Sequence, residues 1–330
     1  MNRKNIFEFG RERKKPSFEV LKDSQGNQHQ PVLLKEAVAG LIVEKNGIYV
    51  DATFGRGGHS QEILQHIDSE SVLICIDKDQ KAIQVAKQLS DKRMIVRQGS
   101  FTKLKSWIEE LNYTGKISGI LLDLGVSSPQ LDDTLRGFSF LRDGPLDMRM
   151  DQSQPLNAAM WLKNAKEDEI ARVLKEYGEE RFSRRIAHAI VKERVVAPIV
   201  TTGRLAEIVS KAHPRWEAHK HPATRVFQAI RIFINNELEE LSNCLEQCLD
   251  VLAVGGRLAV ISFHSLEDRI IKEFIKKHKG GGIPEWLPLY DEQLCRRLRR
   301  VGKTIHASEE EINKNPRSRS AILRIMEKLK

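Results

Sequence analysis

A chain of 330 residues with 40% hydrophobic and 30% charged residues holds enough apolar material for a sizeable core, as one large α/β unit or two smaller ones. It has no apolar run near the roughly 20 residues that a membrane span needs, which excludes a helical membrane protein. The net charge of +9 sits at the ends: residues 1–27 hold seven Lys/Arg against four Asp/Glu, residues 296–330 eleven against four, and the middle is close to neutral. Basic ends on a neutral body point to a polyanionic partner, of which nucleic acid is the commonest.

Met1 to Lys15 mixes charges with single apolar residues, so no secretory signal is expected and a cytoplasmic location follows by default. Residues 1–27 are polar and aperiodic and read as a mobile basic tail, with the folded part beginning near His29. From there β-rich runs alternate with helical patterns, as parallel strands joined by crossover helices do. The spacing predicts strands over Ile48–Thr53, Ser71–Asp77, Arg93–Arg97 and Ile117–Asp123.

After Asp123 the rhythm changes: residues 131–160 are rich in Gly, Pro, Asp and Ser, and helices then follow without an intervening strand, which reads as an insertion. Ile170, Val173, Leu174 and Tyr177 form one apolar stripe, Leu205, Ile208, Val209 and Ala212 a second, and Phe182, Ile186, Ala189 and Ile190 a third. Arg184, Arg185, Lys192 and Arg194 surround the third stripe, either as a solvated face or as RNA contacts. One long helix is expected from Val226 to Leu252, ending at Gly255-Gly256. Arg257–Phe263 follows as a buried strand, Ser265 with Asp268 as the cap of the next helix, and Ala321–Met326 as a last strand. The four cysteines, Cys75, Cys244, Cys248 and Cys295, are too scattered for a disulfide framework. Cys244 and Cys248 lie one helical turn apart without a second ligand pair, so they read as a helix face and no metal is expected.

The chemistry concentrates in Asp51-Ala52-Thr53-Phe54-Gly55-Arg56-Gly57-Gly58-His59. A glycine loop directly after a first strand lets backbone approach a nucleotide-like ligand. It lacks the Gly-Lys-Ser/Thr of a P-loop, and Ser60 stands where a dinucleotide fingerprint has its third glycine. Asp77, 22 residues beyond Gly55, is placed to accept ribose hydroxyls. Both NAD and S-adenosylmethionine (SAM) carry such a ribose, but Asp51 and Asp123 supply negative charge suited to the sulfonium and ammonium of SAM rather than to a pyrophosphate. Asp51 reads equally well as a strand-end residue bonding nearby amides. Asp123 could accept the N–H of an exocyclic amine, localising its lone pair toward a methyl group, or could contact the SAM amino group. Methyl transfer otherwise needs mainly in-line positioning.

The glycine loop, Asp123 to Gln130, Arg136–Phe140, Leu146–Met150, Tyr177–Phe182, His221–Arg225 with Phe227-Gln228-Ala229, Phe263–Arg269 and Asn315–Ala321 together resemble the ribosomal RNA small subunit methyltransferase H family, in order over roughly residues 29–330. The resemblance implies a class I SAM-dependent methyltransferase fold: a Rossmann-like, mostly parallel α/β sheet over 28–130 and 222–330, with an all-helical substrate-recognition domain inserted at 131–221. It implies N4-methylation of a cytidine in the decoding centre of 16S ribosomal RNA. SAM would be contacted at Gly57, Gly58, His59, Asp77, Phe101, Asp123 and Gln130. Phe101 and Gln130 rest on the resemblance alone. The partners implied are small-subunit ribosomal RNA or the ribosomal subunit, with no membrane, and a homodimer is compatible. The tail before residue 28 departs from the family pattern. His264 is either a base contact or a structural histidine, as are Asp147, Arg149 and His221 in their own settings, and Arg317-Ser318-Arg319 is either a phosphate contact or a solvated turn.

Overall fold

A computed structural model describes residues 31–214, 221–279 and 296–330. The basic tail and Cys295 lie outside the described residues.

The described chain opens with α1 (Leu34–Leu41), then alternates β1 (Ile48–Asp51), α2 (Gly58–His66), β2 (Val72–Asp77), α3 (Gln80–Gln88), β3 (Met94–Gln98), α4 (Leu104–Glu110) and β4 (Ile117–Asp123). Strands β1, β2 and β4 are almost continuously apolar and buried, as parallel strands covered on both faces must be. Helices then run without a core strand: α5 (Ser128–Asp132), α6 (Ala158–Asn164), α7 (Glu167–Gly178), α8 (Ser183–Val196), α9 (Thr202–Ala212), α10 (Ala223–Asn235) and α11 (Glu237–Val251). The sheet resumes with β5 (Leu252–Ser262), followed by α12 (Ser265–His278), β6 (Leu298–Arg300), β7 (Ile305–His306), α13 (Glu309–Lys314) and β8 (Ile322–Lys328).

The sheet order is β3-β2-β1-β4-β5-β8-β6, with β7 also paired to β8. Strands β1 to β5 are parallel and β8 is antiparallel to β5. This is the class I methyltransferase arrangement that the resemblance implied. The order reverses between β1 and β4, so their carboxyl ends open a crevice where an open α/β sheet binds ligands.

Three apolar clusters hold the molecule together. One lies under α1, α2 and α3 on one sheet face; a second joins α4, α11 and α12 to the other face. The third unites the helices after β4, where the three stripes read from the sequence meet, and it draws in Val226, Phe227 and Ile230 of α10. Cys244 and Cys248 are wholly buried in the second cluster, their Sγ atoms 3.9 Å apart on one face of α11.

Two expectations are corrected. The helix expected to run unbroken from Val226 to Leu252 is two helices, because Asn236 takes the left-handed conformation (φ 50°) and its amide closes α10 on the Ile232 carbonyl. The second helix stops at Val251, ahead of the two glycines. The cap of α12 is His264 rather than Ser265: its side chain accepts from Glu267 N, and the Glu267 carboxylate accepts from His264 N, a reciprocal capping box one residue earlier than expected.

Candidate active site

At the carboxyl edge of the sheet a cleft of about 870 Å³ runs between the glycine loop, the β4–α5 segment and the α10–α11 bend. The loop is held open from both sides. Gly57 caps α2 at φ 76°, and a Cβ there would lie 2.5 Å from the Phe54 ring; a Cβ on Gly58 would lie 2.1 Å from Pro31. Gly57 therefore requires glycine for conformation and packing, and Gly58 for packing alone. Gly58 and His59 line the cleft, as do Asp77, Phe101, Asp123 and Gln130, whereas Gly57 stands behind the lining and shapes it.

Each carboxylate has its own setting. Asp77 at the end of β2 accepts Gly55 N (2.7 Å) and Asp79 N (2.8 Å), one on each oxygen. Each oxygen keeps a second lone pair, so a ribose hydroxyl can still be received. Burial pushes Asp77 up to about 6 despite those two amides. Asp51 accepts Ser60 Oγ (2.6 Å) and Thr53 N (3.2 Å), and does not line the cleft. The strand-end reading of Asp51 therefore holds, and Ser60, which spoils a dinucleotide fingerprint, is the donor that Asp51 needs. Burial likewise raises Asp51 to about 6.

Asp123 ends β4, where its own amide donates to Thr53 Oγ1 at 2.6 Å. Its Oδ1 is buried with no hydrogen-bond partner among the described residues, and its Oδ2 lies 3.7 Å from His59 Nδ1. Burial first, then Asp51 and Glu267, hold this carboxyl well above the usual carboxylate range. A buried acceptor without a donor marks a place for a donating or cationic ligand.

Gln130 closes a capping box with Ser127 at the start of α5 and donates Nε2 to Asp79 Oδ2 at 2.9 Å. Asp79 caps α3 and also receives the buried Arg136 guanidinium at 2.6 Å. Phe101 presents a half-buried ring with Lys78 Nζ 5.8 Å from its centroid, and Lys78 is itself tied to Glu240. Across the cleft, Arg231 donates two 2.8 Å bonds to Glu237. Glu267 accepts Phe263 N (2.7 Å); burial opposes its charge, but His264 and Arg231 hold its carboxyl below its ordinary value.

Other sequence candidates fall elsewhere. His264 is turned into the cap of α12, its Nε2 3.1 Å from Glu267 Oε1. Asp147 and Arg149 pair with each other at 2.7 Å inside the helical region. His221 stacks on Phe140 at 4.7 Å and accepts Ala223 N. Arg317 does reach the cleft, where it pairs with Asp132 at 2.7 Å. Arg231, Glu237 and Asp79 escaped the sequence reading. The first two bracket an unforeseen bend, and the only sign of Asp79 was a helix-capping aspartate two residues past Asp77.

A sequence model of one protein family matches residues 26–329. The chain belongs to the MraW methylase family. Relatives in this family include proteins named ribosomal RNA small subunit methyltransferase H from Legionella pneumophila strains Paris and Corby, each 56% identical over 305 residues, covering 92% of this chain and 99% of theirs. Among solved structures, a putative rRNA-methylase from Clostridium thermocellum superposes with a TM-score of 0.41 at 11% identity over 89% of this chain and 93% of its own, too distant a likeness to bear on function. The cofactor of this methylase is SAM. The orphaned Asp123 oxygen, the remaining lone pairs of Asp77 and the Phe101 ring fit its cationic end, ribose and adenine respectively. SAM supplies an electrophilic methyl group there; the protein positions it.

Proposed function

We propose that this methylase transfers the methyl group of SAM to N4 of a cytidine in the decoding centre of small-subunit ribosomal RNA. The observation that carries the reading is Asp123: a partly exposed carboxyl whose Oδ1 is buried and unpaired, at the junction of the glycine loop and the α10–α11 bend, where an acceptor nitrogen would meet the methyl group. A cytosine amine donates two N–H bonds and is a poor nucleophile because its lone pair is spread into the ring. Accepting one N–H at Asp123 localises that pair, and the wall made by Phe263, Glu267 and Arg231 bounds the space for the ring. Gly58, His59, Asp77, Phe101 and Gln130 serve the cofactor half, Gln130 through the hydrogen bonds that fix the β4–α5 segment.

In this reading residues 28–130 and 222–330 form the SAM domain and 131–221 the substrate-recognition domain. Arg181, Arg184, Arg185 and Lys192 on and before α8 support it: all are exposed and make no ion pair among the described residues. Arg194 is different, since it donates to the Leu162 and Ala165 carbonyls and so belongs to the packing. The α7–α8 corner leans on the start of α12 through Glu179, which accepts from Ser265 and Arg269. The cationic face thus begins close to the cleft rim. Ribosomal RNA as substrate places the enzyme in the cytoplasm, and no described helix is long and apolar enough to cross a membrane. A homodimer is compatible with this reading.

Mass spectrometry of nucleosides from small-subunit RNA, isolated from cells with and without this protein, tests the proposal. The expected result is N4-methylcytidine present only with the protein; an unchanged nucleoside profile overturns it.

A further inference from the structure

Arg231 lies near the end of α10 and lines the cleft, with 16% of its side chain exposed. Its Nε and Nη2 donate to the two oxygens of Glu237 at 2.8 Å each, so one edge of the guanidinium is clamped and its plane is fixed. Nη1 has no hydrogen-bond partner among the described residues, so the end edge keeps two parallel N–H groups, one on each Nη atom. The Arg–Glu pair is neutral overall; it does not repel the sulfonium of SAM, and its open edge suits a neutral acceptor better than a phosphate. Glu267 acts on the charge of both Asp123 and Arg231, so the carboxyl and the guanidinium flank a common neighbour. We infer that Arg231 selects the base: its open edge donates to the ring N3 and the carbonyl O2 of the cytosine whose amine meets Asp123.

The inference rests on the reading of the acceptor as a cytosine amine and says how that base is chosen. Along one edge cytosine presents a donor, N4, and then two adjacent acceptors, N3 and O2. Asp123 takes the first, and the guanidinium fork fits the other two as an arginine fork fits two adjacent acceptors on a guanine edge. Adenine offers N6 and N1 but a C–H where O2 stands, so it forfeits one bond. Uracil turns an N3–H toward the N–H groups of Arg231. Donors left without acceptors in a shielded place make the wrong base costly. The contact also occupies the in-plane lone pair of N3, the ring nitrogen that competes with N4 for an electrophilic methyl group. Glu237 is the positioning residue: it reaches Arg231 because Asn236, at φ 50°, bends the chain between them.

The test uses the full chain on small ribosomal subunits reconstituted with cytidine, or with 3-deazacytidine in which N3 is a C–H, at the methylated position. In single turnover the unaltered protein is expected to transfer more slowly to the 3-deaza RNA by about 10- to 100-fold, the size of one bidentate base contact. Arg231→Met is expected to be slower on cytidine by a similar factor and to lose most of the discrimination between the two RNAs. Because that change strands the Glu237 carboxylate, Arg231→Met combined with Glu237→Gln is measured beside it and should behave alike. A lesion that only disturbs packing would slow both RNAs equally and keep the discrimination, and that result overturns the inference. So does an unaltered protein that does not distinguish the two RNAs. In either case transfer to N4 leaves the proposed function standing. Absence of N4-methylcytidine from both RNAs with the unaltered protein overturns the proposed function and this inference together.

Discussion

The Arg136 guanidinium, 2% exposed, donates Nη1 to Asp79 Oδ2 at 2.6 Å and Nη2 to the carbonyls of Arg149 and Met150. The same Asp79 oxygen receives Gln130 Nε2, and Asp79 Oδ1 caps α3 through Lys81 N. One carboxylate thus joins the cofactor side of the sheet to the region inserted after β4. Asp79→Ala would leave a buried cation without its counter-charge, a change that costs about 3–5 kcal/mol. Urea unfolding is expected to show that loss, with weaker SAM binding alongside because the Gln130 segment loses its anchor. Asp79→Ala combined with Arg136→Met should recover most of the stability. If the double variant is no more stable than the single one, the pair is not what Asp79 supports.

Asp51 and Asp77 are both raised to about 6 by burial, above the ordinary value of 3.8. Folded values above the unfolded one mean that the stability they contribute is full below pH 3.8 and is lost as pH rises through about 6. The SAM-free protein should therefore weaken between pH 4 and 7, by roughly 2–3 kcal/mol per group at most. Asp51→Asn should flatten part of that decline in urea midpoints taken across the range. A decline identical to that of the unaltered protein would remove Asp51 from the account.

A cationic group favours the ionised form of Asp123 and ribose hydroxyl donors favour that of Asp77, so SAM should bind more tightly at pH 7 than at pH 5 and release protons as it does. Calorimetry in two buffers of different ionisation enthalpy reads the proton count directly. Proton uptake on binding would contradict the placement of the cationic end beside Asp123.

Asn236 stands at φ 50°, where a β-branched side chain is strained by about 1–2 kcal/mol and glycine is not. Asn236→Gly should leave stability within a few tenths of a kcal/mol, whereas Asn236→Val should lower it by about 1–2 kcal/mol. Because the bend presents Glu237 to Arg231, the valine variant should also slow transfer more than the glycine variant does. Equal rates would detach the bend from the substrate side of the cleft.

Arg184→Glu with Arg185→Glu reverses two exposed cations of α8. Binding to small-subunit RNA, followed by fluorescence anisotropy at several salt concentrations, should weaken, with the salt slope falling by about one for each phosphate that the variant no longer neutralises. SAM affinity should not change. An unaltered slope would return α8 to the status of a solvated face.

Much of the fold was legible because its signals are local. Strands buried on both faces carry continuous apolar runs, and the glycine loop with Asp77 declares a ribose-bearing ligand within thirty residues of chain. The bend at Asn236 was not legible, since apolar residues from Phe227 to Leu245 keep helical spacing on both sides of it. In an unbroken helix Arg231 and Glu237, six residues apart, would face different ways. Only the left-handed residue between them brings the two side chains together. Arg136 and Asp79 meet across 57 residues, which no periodicity reports. The cap of α12 was missed by one position because a histidine ring does there what a serine hydroxyl ordinarily does.

Strand β8 has a consequence for the birth of the enzyme. It lies between β5 and β6 and also pairs β7, yet it is translated after every other element described. On a chain emerging from a ribosome, the helices between β4 and β5 can gather around their own apolar cluster early, while β5 waits with one edge bare. The sheet beside the crevice is therefore completed last. A chain arrested before residue 322 would carry the glycine loop and every acidic residue of the cleft, and still present an open sheet edge in place of a finished catalyst.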